Sequence, residues 1–343
     1  MNTFIIAEAG VNHNGDEALA LELVDTAANC GADAVKFQTF KAEKLVRPGA
    51  EKAEYQRRET GDGDQFDMLK RLEMSEDLHR KLVERCVARD IEFMSTPFDE
   101  AAADFLISLG MRRLKVPSGE ITNLPFLEFL AAKNLPMILS TGMADLEEVR
   151  EAVQAVRATR MRLGLSGSLE TMLTILHCTS NYPAAVGDVN LRAMQSMYAE
   201  TGVPVGYSDH TAGIAVSTAA VAMSASVIEK HFTLDKSLPG PDHRASLEPA
   251  ELAQMIRQIR DVEQALGSSI KAPTSSELPV RALVRRSVTT LRPIARGELL
   301  TRANVGLLRP GTGIAPKAFL QVLGKCAARD IEAGITLDWS DLA

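Results

Sequence analysis

Cysteine is scarce in this chain, and the few present lie far apart. Cys30, Cys86, Cys178 and Cys326 form no CxxC pair. That argues against a disulfide framework or a zinc knot and for buried, reduced thiols in a cytoplasmic protein. Cys178, within HCTSNYP, reads as a packing thiol, since neighbouring segments carry better-suited chemistry. No apolar run is long enough to span a bilayer, so no membrane role is expected. The first residues, MNTFIIAEAG, lack a basic segment followed by a long apolar stretch, so no signal peptide is expected either. Positive charge is not in surplus: 38 Lys and Arg against 45 Asp and Glu give a net charge of −7. A nucleic-acid partner usually needs a basic face and is not expected here. There is no internal repeat and no low-complexity tract.

What is present is a rhythm. The 343 residues, 45% of them hydrophobic, suffice for one large domain and a small one. From Thr3 to about Leu266, short apolar or β-branched runs end in polar residues and lead into amphipathic helices. The predicted strands are FIIAEAG, ADAVKFQTF, IEFMSTPF, RRLKVPSGE, PMILSTG, LTILHCTSNYP, PVGYSDH and SVIEKHF. Asp16 is placed to cap the first helix, and a helix is predicted over 211–225. A longer polar segment, 41–66, interrupts the pattern. Eight β-α units of this length predict a (β/α)8 TIM barrel, with a doubly wound sheet as the alternative. Polar residues crowd the end of every strand, which favours the barrel, where all eight ends meet. The domain boundaries follow: a barrel over 1–267, a Ser- and Pro-rich linker over 268–284, and a small β-rich domain over 285–343.

The strand ends carry the chemistry. GYSDH and VIEKHF each finish on a histidine, His210 and His231, at matching positions of consecutive parallel strands, where neutral imidazoles can share a divalent metal. Two histidines leave coordination positions open for substrate oxygens. Lys36 and Lys115, with Thr96, Ser118 and Ser208, suit a doubly charged phosphate ester. Glu8, Ser140 and Thr141 belong to the same strand-end set without a specific role. His13 is a further candidate ligand or substrate partner, and His177 reads as structural. Glu229 and Lys230 alternate, so one faces the barrel interior and the other the helices. The basic cluster Arg281, Arg285 and Arg286 reads as a solvated linker charge run.

IAEAGVNHNGD, VKFQTFKAE, STPFDE, LKVPSGE, ILSTGM, LHCTSNYP, GYSDHTAG, IEKHFTLDKSLPGPDH and LLRPGTGI together resemble the sialic acid synthase family, over essentially the whole chain. The tail resembles the antifreeze-like SAF domain, a β-clip fold. The resemblance implies a transferase that condenses phosphoenolpyruvate with an N-acylated mannosamine-type sugar in carbohydrate, cell-surface polysaccharide biosynthesis. It implies phosphoenolpyruvate contacts at Lys36, Thr96, Lys115, Ser118, Ser180 and Ser208. Manganese or magnesium, with cobalt a further candidate, would be held by His210 and His231. Sugar contacts are implied at Asn14, Gln38, Tyr182 and Asp242. Arg309 would reach the sugar's N-acyl group from a partner subunit's SAF domain, which implies a domain-swapped homodimer. Lys36 and Lys115 are catalytic candidates, and Glu120 or Glu229 would position the water. Asn14 and Ser180 depart from residues that some family members carry, which bears on the sugar rather than on the reaction. The leading expectation is an N-acetylneuraminate synthase using N-acetylmannosamine. The alternative is an N,N'-diacetyllegionaminate synthase using 2,4-diacetamido-2,4,6-trideoxymannose, and a remote one is a non-enzymatic carbohydrate- or ice-binding protein.

Overall fold

A computed structural model describes residues 2–343. The chain divides into two compact units, one ending at Gly267 and one spanning Ser268–Ala343.

The first unit is built on eight parallel strands: β1 (Phe4–Gly10), β2 (Ala34–Thr39), β3 (Glu92–Pro97), β4 (Leu114–Val116), β5 (Met137–Ser140), β6 (Leu173–Cys178), β7 (Val205–Asp209) and β8 (Val227–His231). Their order is β3-β2-β1-β8-β7-β6-β5-β4, and β3 lies beside β4 to close the ring without a regular ladder. This is the predicted TIM barrel. The helices are α1 (Glu17–Cys30), α2 (Ala42–Leu45), α3 (Glu54–Thr60), α4 (Gln65–Arg71), α5 (Glu76–Ala88), α6 (Glu100–Ser108), α7 (Leu124–Ala132), α8 (Leu146–Arg162), α9 (Leu169–Met172), α10 (Ala193–Thr201), α11 (Ala215–Ala222) and α12 (Pro249–Leu266). Most of the long ones start on a side-chain cap. Asp16, Ser75, Asp99, Asn123 and Asp145 each accept a hydrogen bond from a backbone N–H in the first turn of α1, α5, α6, α7 and α8, each worth about 1 kcal/mol.

Two boundaries differ from expectation for local reasons. The fourth strand stops at Val116 because Pro117 has no N–H for the ladder, and Ser118–Glu120 turns as a 3₁₀ segment instead. Helix α11 begins at Ala215, not Thr211. The Asp209 carboxylate captures the Thr211 N–H at 2.8 Å, and Gly213 has a left-handed φ of 76°, so the chain turns before it coils. The polar segment after β2 holds three short helices, α2, α3 and α4, beyond the strand ends.

Side chains alternate along each strand, so residues two apart share a face. Ile6, Ala34, Met94, Ile138, Leu176 and Val227 fill the barrel interior as one apolar layer. Gly206 completes it by its smallness: a Cβ there would stand 2.5 Å from the Val227 carbonyl oxygen and 2.6 Å from Leu176.

The second unit begins with residues expected to be linker. They include a helix, α13 (Glu277–Val284), all of it exposed. Beyond it, β9 (Ser287–Thr290) pairs antiparallel with β10 (Val305–Leu308), a short helix α14 covers Phe319–Val322, and the rest is joined by isolated bridges such as Ile294–Ile331 and Leu299–Cys326. Nine buried apolar side chains, Val288 to Leu337, make its core.

Candidate active site

Two residues above the apolar layer, the same alternation brings Glu8, Lys36, Thr96, Ser140 and Glu229 into the barrel interior, joined by Lys115 from β4 and Ser208 from β7. All are buried. Lys36 Nζ lies 2.6 Å from Glu8 Oε2 and 3.6 Å from Glu229 Oε2, and donates to Thr96 Oγ1 at 3.0 Å. Lys115 Nζ donates to Ser140 Oγ at 2.7 Å and lies 3.7 Å from Glu229 Oε1. Ser208 Oγ donates to Glu229 Oε1 at 3.0 Å. Two ammonium groups thus face two carboxylates out of water, where such pairing is needed to keep charge at all. Burial alone would raise Glu229, but Lys115 and Lys36 hold it down to about 2. Burial prevails at Glu8, which is pushed up to about 7 against the pull of Lys36. Burial would lower Lys36, yet Glu229 and Glu8 keep it above its ordinary value, whereas burial lowers Lys115. The two carboxylates therefore titrate as an interacting pair, Glu8 high and Glu229 low.

Beside this floor, Ser118 Oγ accepts from the Gly142 N–H at 3.0 Å and lies 3.2 Å from Cys178 Sγ. Ser180 stands opposite: a Cβ at Gly142 would come within 2.2 Å of its Oγ. Only glycine leaves this hollow of two hydroxyls open. Cys178 is buried, with burial raising its thiol, as a packing residue would be.

One further step up β8 and β7 come His231 and His210, with ring centroids 5.8 Å apart. His210 Nδ1 donates to the Thr179 carbonyl at 2.7 Å, which leaves Nε2 as the acceptor nitrogen beside Tyr182 Oη at 3.1 Å. His231 Nδ1 is buried without a partner. Burial holds His210 down at about 4 and His231 well below its ordinary value, so both imidazoles are neutral. Among the described residues no third His, Cys, Asp or Glu completes a ligand cluster. Two neutral imidazoles at this spacing, one with an orphaned nitrogen, fit an open divalent-metal site that takes its other ligands from water or substrate.

The alternation between Glu229 and Lys230 resolves with the carboxylate inside. Lys230 points to the helices, where its Nζ lies 3.0 Å from Asp209 Oδ2 and donates to the Thr211 carbonyl. Asp209 also accepts from Ser217 Oγ at 2.6 Å. This buried pair ties β7 to β8 directly behind the two histidines.

The cavity above the floor has a volume of about 500 Å³ and takes in Gln38, Tyr182, Tyr55 and Asp242. Tyr182 packs with tilted ring contacts between Tyr55, at 5.1 Å, and His210, at 4.1 Å between centroids. Burial pushes Asp242 up to about 6. Of the sequence candidates, Lys36, Gln38, Thr96, Lys115, Ser118, Ser180, Tyr182, Ser208, His210, Glu229, His231 and Asp242 all line this space. Three candidates do not. Asn14 donates to the Pro239 carbonyl at 2.8 Å and lies 3.3 Å from His243 Nε2, so it braces a loop. Glu120 is turned away by the 3₁₀ segment after Pro117 and accepts from Asn123 Nδ2 at 2.7 Å at the head of α7. Arg309 is an exposed residue of the second unit. Neither His13 nor His177 lines the cavity: His13 Nδ1 accepts from the Gly15 N–H while its Nε2 is buried without a partner, and His177 bonds the Val189 carbonyl. Sequence reasoning gave no role to Glu8, Ser140 or Gly142. The alternation from Ile6 to Glu8 and from Ile138 to Ser140 was the available signal for the first two; Gly142 had none.

The chain matches the NeuB family over residues 23–271 and the SAF domain over residues 285–343. The chain belongs to the NeuB family. An N,N'-diacetyllegionaminic acid synthase of Legionella pneumophila is 55% identical to it over 343 residues, covering 100% of this chain and 95% of that protein. One from Campylobacter jejuni is 46% identical over 329 residues, covering 96% of each. The crystal structure of an N-acetylneuraminic acid (sialic acid) synthetase from Leptospira borgpetersenii, in complex with citrate, superposes with a TM-score of 0.71 at 34% identity, over 82% of this chain and 90% of that one. As a NeuB-family member the chain is a synthase of the transferase class, not a non-enzymatic binding protein.

Proposed function

We propose that the protein condenses phosphoenolpyruvate with 2,4-diacetamido-2,4,6-trideoxymannose, giving N,N'-diacetyllegionaminate and inorganic phosphate. The reaction rests on one arrangement: a buried floor of two lysines and two glutamates beside a pair of neutral histidines in one cavity. The sugar rests on the two legionaminic acid synthases at 55% and 46% identity, so this reading replaces N-acetylmannosamine as the leading one. Among the described residues the lining contains no lysine or arginine besides Lys36 and Lys115, so none of them supplies a further cation for a sugar 6-phosphate.

Lys36 and Lys115 hold the anionic groups of phosphoenolpyruvate, with Thr96, Ser208 and the Ser118–Gly142–Ser180 hollow donating hydrogen bonds. His210 and His231 would hold a divalent ion, manganese or magnesium, which when bound supplies Lewis-acid polarisation of the sugar aldehyde. Tyr182 orients the sugar against that histidine pair, and Gln38 and Asp242 contact its hydroxyls. C3 of phosphoenolpyruvate then forms a bond to C1 of the open-chain sugar, whose oxygen takes a proton. Water adds to C2 and gives up a proton, and the C–O bond to phosphate breaks. Glu229, ionised and held low by the two lysines, accepts a hydrogen bond from that water and positions it, and the proton leaves with the phosphate; Glu120 is directed elsewhere. Holding both substrates at bonding range is the largest contribution of such a cavity. The dimer implied by the resemblance gives the SAF domain a place over a partner's active site, with Arg309 on the N-acyl group. The exposed Leu278 and Leu283 of α13 support an assembly larger than one chain. A cytoplasmic location is supported by four free cysteines; no helix among the described residues is long and apolar enough to cross a membrane.

The test is phosphate release across a sugar panel. Release should need phosphoenolpyruvate and sugar together, be fastest with the diacetamido sugar, vanish after chelation and return with manganese. Release from phosphoenolpyruvate alone, or full turnover in verified metal-free protein, contradicts the proposal.

A further inference from the structure

The cavity changes character with height. Along β2 the interior residues run Lys36, Gln38 and then, just past the strand end, Phe40; along β3 they run Thr96 and then Phe98. Each step of two residues rises about 7 Å. Phe40 and Phe98 meet edge to face at 5.8 Å between centroids. Around them gathers a second, separate apolar cluster: Val11, Phe40, Met68 and Leu72, with Leu45, Leu69 and Phe98 packed against it. Its inner surface lines the cavity, and Leu45 and Leu69 remain only half-buried there. Gln65 and Leu69 sit four apart on α4, hence on one helix face. The Gln65 side chain lines the same space and makes no hydrogen bond within the described residues. The cavity therefore has a charged floor and an apolar roof that carries one unpartnered amide.

We propose that this roof, Leu45, Leu69 and Phe98 together with Gln65, is the specificity subsite for the C4–C6 end of the sugar. It takes the C4 acylamino group and the C6 methyl. This rests on the reaction proposed above. With C1 at the histidine pair, one step above the floor, C4 and C6 lie about 4–6 Å away at ordinary C–C bond lengths, the scale of the one remaining step of two residues up to the roof. A 4-acetamido-6-deoxy sugar presents two methyl groups and one secondary amide at that end, and nothing ionised. The methyl groups match the apolar wall, and the amide matches Gln65, which can both donate and accept. N-Acetylmannosamine presents hydroxyls there instead. Their hydrogen bonds to water would be lost against Leu45, Leu69 and Phe98 with few replacements. Substrate choice is thereby assigned to α2, α4 and the residue just past β3, and the reaction to the strands.

The experiment is a cycle of two variants and two sugars, read as kcat/KM and, where turnover is slow, as Kd by titration calorimetry. Leu69→Ser should reduce kcat/KM for 2,4-diacetamido-2,4,6-trideoxymannose about tenfold, the scale of a methyl-sized loss in an apolar pocket. Gln65→Leu should also reduce it about tenfold, through the lost amide contact. Both should leave N-acetylmannosamine within about threefold and the KM for phosphoenolpyruvate unchanged, which also shows that the variants are folded. Equal losses for both sugars overturn the subsite while leaving the proposed reaction intact. A wild-type protein that prefers N-acetylmannosamine overturns the proposed function, and the subsite with it.

Discussion

Floor and roof of the one cavity are made by different means. The floor consists of strand residues whose positions follow from ladder register: Glu8 pairs with Lys36 and with His231, and Ser208 with Glu229. Neighbouring strands fix each of these from both sides, so little can move independently. The roof comes from α2, α4 and loop residues just past the strands, held by a small cluster of its own. Rigid floor and separately packed roof suggest a division of labour. Charged and hydrogen-bonding groups must be set to within fractions of an ångström, whereas an apolar wall needs only the right shape and dryness.

The most direct way to break this comparison is to open the floor. Lys115→Met should lower kcat/KM for phosphoenolpyruvate by about 10³-fold, the scale for removing one preorganised charge partner. A loss no larger than that of Leu69→Ser would mean that floor and roof are not distinct. Glu229→Gln comes next, with kcat reduced on the order of 10²-fold. Glu120→Gln should stay within about threefold of wild type, because its carboxylate serves α7. Comparable losses in steady-state assays would return Glu120 to the reaction. A separate effect concerns stability rather than rate. Burial raises Asp242 from 3.8 to about 6 in the folded chain. A carboxyl with a raised folded pKa stabilises fully below its unfolded value and loses that contribution as pH rises through the folded one. Substrate-free protein should therefore lose up to about 3 kcal/mol between pH 4 and pH 7 from this group. Asp242→Asn should flatten that slope in urea denaturation, and an unchanged slope would mean the carboxylate is solvated.

The fold was legible because its signals are local. Apolar runs, helix caps at Asp16 and Asp145, and the repeated polar strand ends can each be read within a few residues. Within the expected linker, Ser and Pro masked an eight-residue helix at 277–284; a proline in the first turn interrupts no intrahelical bond. Most of the site was legible too, since paired histidines and lysines at strand ends carry chemistry in their identity. Asn14 and Glu120 find their partners outside the cavity lining, which residue type and motif position do not foretell, because neither says where a turn aims a side chain.

Alone, then, the sequence determined the strands, the helices, the histidine pair and the two lysines, for each depends on neighbours close in the chain. Tertiary structure decided the rest. A period of two says that Glu229 and Lys230 face opposite ways but not which faces inward. That choice needs the ring to close, with Asp209 outside to receive Lys230 and Lys36 and Lys115 inside to receive Glu229. It also took the closed ring to bring Ser118, Gly142 and Ser180 into one hollow, and to set an apolar roof over a charged floor. Those groups come from segments tens of residues apart, and only packing puts them within reach of one substrate.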